Sequence, residues 1–187
     1  SYATESPATD GEHVYAYFAS TGRVACYDMT GKQLWTQDVG AYPTGNNFGT
    51  GSSLAVGDGR LFLQCDNEEQ SFVMAFDAAT GEALWRDDRE GRTCWSSPIL
   101  WENSERAQLI VCGSGNVISY DPADGSKIWE IAGVGGSFSC SPATDADRVY
   151  FGNSGPGSRG PLVSVSAAAT GKMSVSSSNT EDKGMAW

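Results

Sequence analysis

At 187 residues the chain is long enough for one domain that buries about 70% of its unfolded surface. A formal charge of −11, with no cluster of lysine or arginine, excludes a phosphate-neutralising surface and so nucleic acid as the main partner. The longest apolar runs, such as residues 71–76, fall far short of the ~20 residues a membrane helix needs, so no membrane span is expected.

In chain order, a first unit opens at Ser6-Pro7, passes through the strand-like run His13-Val-Tyr-Ala-Tyr-Phe18, and closes on Tyr27-Asp-Met-Thr-Gly-Lys-Gln-Leu-Trp35. A second repeats it as Ser53-Leu54, Arg60-Leu-Phe-Leu-Gln-Cys65 and Phe76-Asp-Ala-Ala-Thr-Gly-Glu-Ala-Leu-Trp85. The third runs from Ser97-Pro98 to Tyr120-Asp-Pro-Ala-Asp-Gly-Ser-Lys-Ile-Trp129; residues 99–112, the one long stretch without Gly or Pro, fall in register with two strands and a loop. The fourth, from Ser141-Pro142 through Arg148-Val-Tyr-Phe151 to Ala168-Ala-Thr-Gly-Lys172, keeps the turn, but Ala168 replaces the acid and no tryptophan follows.

Two independent ladders, one of Ser-Pro-like pairs and one of Asp…Gly…Trp, therefore share a period of roughly 45 residues, the mark of an array. In the second ladder Asp28, Asp77 and Asp121 open a tight turn by accepting its amides, and Gly31, Gly81 and Gly125 close it with positive φ. Each period holds four short antiparallel strands, which is a β-propeller blade. The expected fold is all-β, with approximate blades 1–45, 46–92, 93–136 and 137–187. Trp35, Trp85 and Trp129 share one phase and are expected to wedge between neighbouring blades, each indole N–H bonded to backbone.

The Tyr-Asp-x-x-Thr-Gly-x-x-Leu-Trp unit resembles the repeat of PQQ-like (pyrroloquinoline-quinone-binding-like) propellers, a superfamily that includes quinoprotein alcohol dehydrogenases and the outer-membrane assembly lipoprotein BamB. Gln64-Cys-Asp-Asn-Glu-Glu69, Trp95-Ser-Ser-Pro98 and Gly160-Pro-Leu-Val-Ser-Val165 look closest to PQQ-like repeat proteins of bacteria such as planctomycetes. The resemblance implies a ring of about eight blades, of which this is half, open at both ends and able to dimerise through its open blade edges. It also implies the cell envelope or secretion, and no leader is visible at Ser1-Tyr2 because it was removed or lies upstream.

The dehydrogenases of the superfamily hold PQQ with calcium or a lanthanide and often carry adjacent cysteines. Here Cys26, Cys65, Cys94, Cys112 and Cys140 are all separated and form no C-x-x-C, so they read as small buried hydrophobes. The acidic loop at residues 65–69 lacks the spaced pattern of a calcium site and reads as solvated. Residues 155–160 match G-x-G-x-x-G, but a strand follows rather than a helix, so this is a loop and no dinucleotide site. His13, the lone histidine, reads as a surface residue, and no serine sits in G-x-S-x-G.

Loops that join second to third strands, and fourth strands to the next blade, emerge on one face around the channel mouth. That face is expected to carry Asn46, Asn47, Asp66, Asn67, Glu68, Arg92, Trp95 and Arg159 as contacts for a protein or small polar ligand, together with Tyr42 and Phe48. Trp95, off the repeat phase, is the one tryptophan placed to stack on a ligand. The expectation is a non-catalytic scaffold with no assigned cofactor. The alternatives are a PQQ- and calcium-dependent oxidoreductase whose remaining ligands lie elsewhere, and a carbohydrate-binding propeller using Tyr42, Phe48 and Trp95.

Overall fold

The computed structural model describes residues 5–155 and 158–175, with side chains omitted at 153–155 and 158–161. Four antiparallel sheets follow one another along the chain. The first contains β1 (Ala8–Thr9), β2 (His13–Phe18), β3 (Arg23–Asp28) and β4 (Gln33–Asp38), and the second β5 (Ala55–Gly57), β6 (Arg60–Cys65), β7 (Ser71–Asp77) and β8 (Ala83–Arg89). The third contains β9 (Ile99–Glu102), β10 (Ala107–Cys112), β11 (Asn116–Tyr120) and β12 (Lys127–Ala132), and the fourth β13 (Ala143–Thr144), β14 (Arg148–Gly155) and β15 (Ser158–Ser166). Each is a propeller blade, its strands ordered as in sequence. Gly155 and Ser158 pair as the ends of β14 and β15, while residues 156–157 of the glycine-rich segment lie outside the described residues.

Burial follows blade position. The second blade is covered on both faces: Leu61 and Leu63 pack against the first blade, and Phe62 against the third. This is why β6 reads as a continuous apolar run. Within β2 of the first blade only Tyr15 and Tyr17 are buried against the second blade, and the strand accordingly alternates.

The turns form as their residues dictate. Asp77 Oδ1 accepts the amides of Ala79 (3.1 Å) and Thr80 (2.8 Å) and the Thr80 hydroxyl. Gly81 closes the turn at φ +75°. Its missing Cβ is also a packing requirement, because a Cβ there would lie 2.7 Å from the Trp35 ring of the preceding blade. The Trp35 indole donates to the Ala78 carbonyl at 3.0 Å, and Trp85 does the same to Pro122, over Gly125.

The serine ladder is a second stitch between blades. The amides of Ser6, Ser53 and Ser97 each donate to the hydroxyl of the next serine, Ser53, Ser97 and Ser141, at 2.9–3.0 Å.

Two expectations are corrected at the fourth blade. Trp129 is fully buried, but its indole donates to Gln108 Oε1 at 2.9 Å rather than to backbone. Gln108 Nε2 in turn donates to the Ala167 carbonyl at 2.9 Å, so the amide relays the contact to the fourth blade. The register also puts Ser166, opposite Arg148, where Asp77 stands opposite Arg60; the substitution for the acid is at Ser166, not Ala168. The outer strand β16 (Gly171–Ser174) then leaves β15 and pairs parallel with β12, so the third sheet has five strands and the fourth three. Among the described residues β16 lacks the aspartate and tryptophan anchors of the other outer strands, whereas the edge of β12 offers unpaired amides and carbonyls.

Candidate functional site

The loop face is built from interlocked connections. Glu68 is its keystone: its amide donates to the Pro43 carbonyl at 3.0 Å, and Oε1 accepts the Thr93 hydroxyl (2.6 Å) and amide (3.1 Å). Thr93 Oγ also accepts the Gly45 amide at 2.7 Å, so the connections leaving the first and second blades close on one carboxylate. These bonds, the Thr93 hydroxyl foremost, hold the Glu68 carboxyl below its ordinary value.

Of the residues singled out in the sequence, Asn46 and Asn47 are exposed on the turn Gly45–Asn47, at φ 53° and 56°, conformations asparagine tolerates better than most residues. Arg92 is exposed beside Glu68. Asp66 and Asn67 are interior rather than on the face. Asn67 closes the loop between β6 and β7, accepting the amides of Glu69 and Gln70 and donating to the Gln70 carbonyl. Asp66 pairs with Arg89 at 3.2 Å, both side chains 2% exposed, and accepts from Gln64 Nε2 at 2.8 Å. Burial raises the Asp66 pKa against the opposing pull of Arg89. Arg89 lies so close to Gly113 that a Cβ there would collide with the guanidinium.

Trp95 is half-buried, and its indole donates to the Gly49 carbonyl at 3.1 Å while its ring rests on Gly51. It braces two connections. Arg159 pairs with Ser154 in the β14–β15 hairpin, and its side chain lies outside the described residues.

A cleft of about 550 Å³ opens beside the first blade. Tyr17, Tyr42, Asn47 and Thr50 line it, with Glu5 accepting the Thr50 hydroxyl, and Phe18 and Phe48 stand at its sides, 47% and 64% exposed. Sequence reasoning named Tyr42, Asn47 and Phe48 but missed Glu5 and Phe18, which the repeat hides within a Ser-Pro strand and a strand end. It also missed Trp101, whose indole bonds the Asp145 carbonyl at 2.7 Å.

The chemistry of these groups is quiet. Burial pushes the Cys94 thiol up to about 12 and raises Cys26, Cys65 and Cys112 as well, which suppresses thiolate formation. Among the described residues no three His, Cys, Asp or Glu side chains converge to hold a metal. The carboxylate buried behind the loop face, Asp66, is occupied by Arg89 and Gln64. The described donors therefore do not assemble a PQQ–calcium site.

The family model for the outer membrane protein assembly factor BamB matches residues 3–184. The chain belongs to this family of PQQ-like propellers. BamB of Moranella endobia (strain PCIT) is 22% identical over 145 residues, 77% of this chain and 33% of that protein. The BamB structure from Moraxella catarrhalis superposes at a TM-score of 0.58 with 20% identity, covering 78% of this chain and 40% of that one. The quinohemoprotein alcohol dehydrogenase of Comamonas testosteroni superposes at 0.59 with 15% identity, covering 77% and 31%. The chain thus spans well under half the length of these BamB-like and quinoprotein relatives. They share its blades, and at this identity the likeness is one of fold. Among the described residues no helix is long and apolar enough to cross a membrane.

Proposed function

We propose that this BamB-like chain is a non-catalytic propeller scaffold that binds a protein partner through its loop face, with the cleft between Phe18 and Phe48 as the contact. The observation that carries this reading is the division of labour on that face. Glu68 and Trp95 are engaged in holding loops to one another, with Asn67 and the Asp66–Arg89 pair buried beneath them, whereas Phe18 and Phe48 present large apolar side chains to solvent beside an acidic, hydroxyl-lined cleft. Exposed aromatics around a concave polar floor are the usual composition of a protein-binding hot spot. The name borne by the BamB relatives, an assembly factor, supports a protein as the partner.

The test is capture of binding proteins from the envelope fraction of the source organism by the wild-type protein, Phe48→Ser and Phe18→Ser. Loss of one specific protein with both variants, at unchanged thermal stability, is the expected result. Capture indifferent to both variants refutes the assignment of the cleft. Saturable, calcium-dependent quenching of tryptophan fluorescence by PQQ, with alcohol-driven dye reduction, would replace the scaffold with an oxidoreductase.

A further inference from the structure

The charge and the walls of the cleft beside the first blade select among protein partners. Glu5 is the one carboxylate among the described residues that line it, and none of those residues is lysine or arginine. The buried Thr50 hydroxyl donates to Glu5 Oε1 and so fixes the carboxyl in the cleft. The aromatic walls are braced from behind. Phe48 rests against Trp95 with ring centroids 6.5 Å apart, and Tyr42 meets Phe72 edge-on at 5.7 Å. Tyr17 commits its hydroxyl to Cys65 Sγ at 3.6 Å. Arg23, opposite Phe18 in the register, stands outside the lining and also lies opposite Asp38.

Two features of this lining favour the same occupant. A half-buried carboxylate attracts a cation more strongly than one on open surface, because less water screens it. Aromatic faces carry the negative part of the ring quadrupole and attract the same charge. A planar guanidinium meets both demands at once, since it stacks on a ring while its N–H fork donates to a carboxylate; a compact ammonium does this less well. The formal charge of −11 adds a field that draws a basic partner in. An anionic occupant would face Glu5 with no cation in the lining to balance it, and an apolar one would bury the carboxylate unpaired.

We infer that the cleft is an arginine-binding site: the protein partner inserts an arginine whose guanidinium pairs with Glu5 and packs on the aromatic walls. The inference rests on the scaffold reading of this cleft and adds the chemistry of the anchor. It assigns Glu5 the selection of charge, and Phe18, Tyr42 and Phe48 the apolar contact along the side chain.

The test titrates the full protein with the N-acetyl methylamides of arginine, citrulline, lysine and norleucine, followed by ligand-detected NMR. Arginine is expected to bind saturably and about tenfold more tightly than citrulline, its uncharged isostere, with lysine between the two. Glu5→Gln keeps an acceptor for the Thr50 hydroxyl but removes the charge; it is expected to lower arginine affinity about tenfold, at unchanged thermal stability, and to leave norleucine as it was. Citrulline or lysine binding as tightly as arginine, arginine binding indifferent to Glu5→Gln, or no saturable arginine binding would each overturn the inference. The scaffold reading fails separately. Partner capture lost in Phe18→Ser and Phe48→Ser but unchanged in Glu5→Gln leaves a protein-binding cleft and overturns its arginine anchor, whereas capture indifferent to all three variants overturns the protein-binding reading and the anchor with it.

Discussion

Replacing Gly81 with alanine, side by side with the same change at Gly31, isolates what the tryptophan stitch contributes. Both glycines close an equivalent turn, at φ +75° and +87°, so alanine meets the same left-handed backbone penalty of about 1 kcal/mol at each. The two differ in surroundings. At Gly81 the new methyl lies 2.7 Å from two Trp35 ring carbons, roughly 1 Å inside ordinary carbon–carbon contact, while at Gly31 it meets nothing within 4 Å. The indole cannot retreat without stretching its 3.0 Å bond to Ala78, so overpacking of ~1–3 kcal/mol is compounded by a hydrogen bond worth ~1 kcal/mol. Gly81→Ala is expected to cost about 3–5 kcal/mol in total and Gly31→Ala about 1. With a urea slope of about 2 kcal/mol/M the midpoints separate by about 1–2 M. Urea unfolding followed by tryptophan fluorescence and by far-UV circular dichroism is the assay. Equal midpoints for the two variants would refute the claim that Gly81 is glycine because Trp35 lies on it.

The buried Asp66–Arg89 pair predicts that Asp66→Leu or Arg89→Met alone costs ~3–5 kcal/mol, while the double variant Asp66→Leu/Arg89→Met recovers most of the loss, as read from a double-mutant unfolding cycle. Turn amides, those of Thr80 and Asp147 first, hold Asp77 and Asp145 below the ordinary 3.8; their contribution to stability is present above that pH and is lost as pH falls through it toward the folded values. Asp66 acts with the opposite sign, since burial raises its pKa and acid relieves the cost of its charge, so Asp77→Asn flattens the acid limb of a stability–pH curve and Asp66→Asn does not. Of the five cysteines, only exposed Cys140 is expected to react promptly with Ellman's reagent in the native protein, and a second fast thiol would contradict the burial of the other four. Ser97→Ala removes the acceptor for the Ser53 amide and is expected to lower stability by about 1 kcal/mol in thermal unfolding.

How far the sequence could be read depended on the reach of each interaction. The Asp28 and Asp77 turns are legible because carboxylate, amides and glycine lie within five residues of one another, and the phase of Trp35 and Trp85 follows from a strand that starts at a fixed offset from the turn. The serine ladder was visible as a period, but its meaning, a hydroxyl accepting an amide 44 residues earlier, exists only once blades are stacked. The loop at Asp66 reads as solvated because its acids lack the spacing of a calcium site. Arg89, which takes Asp66 into the interior, lies 23 residues away and carries no local mark.

The amino-acid sequence by itself determined that this protein is a row of antiparallel blades, where each blade turns and which tryptophans lie between blades, because repetition makes local chemistry recur in phase. Only the tertiary structure decided that Gln108 relays Trp129 to Ala167, that β16 joins β12 instead of its own blade, and that Phe18 and Phe48 frame a cleft. Those outcomes depend on which neighbour competes for an edge, a carbonyl or a ring face, and such competition is settled between blades rather than within one.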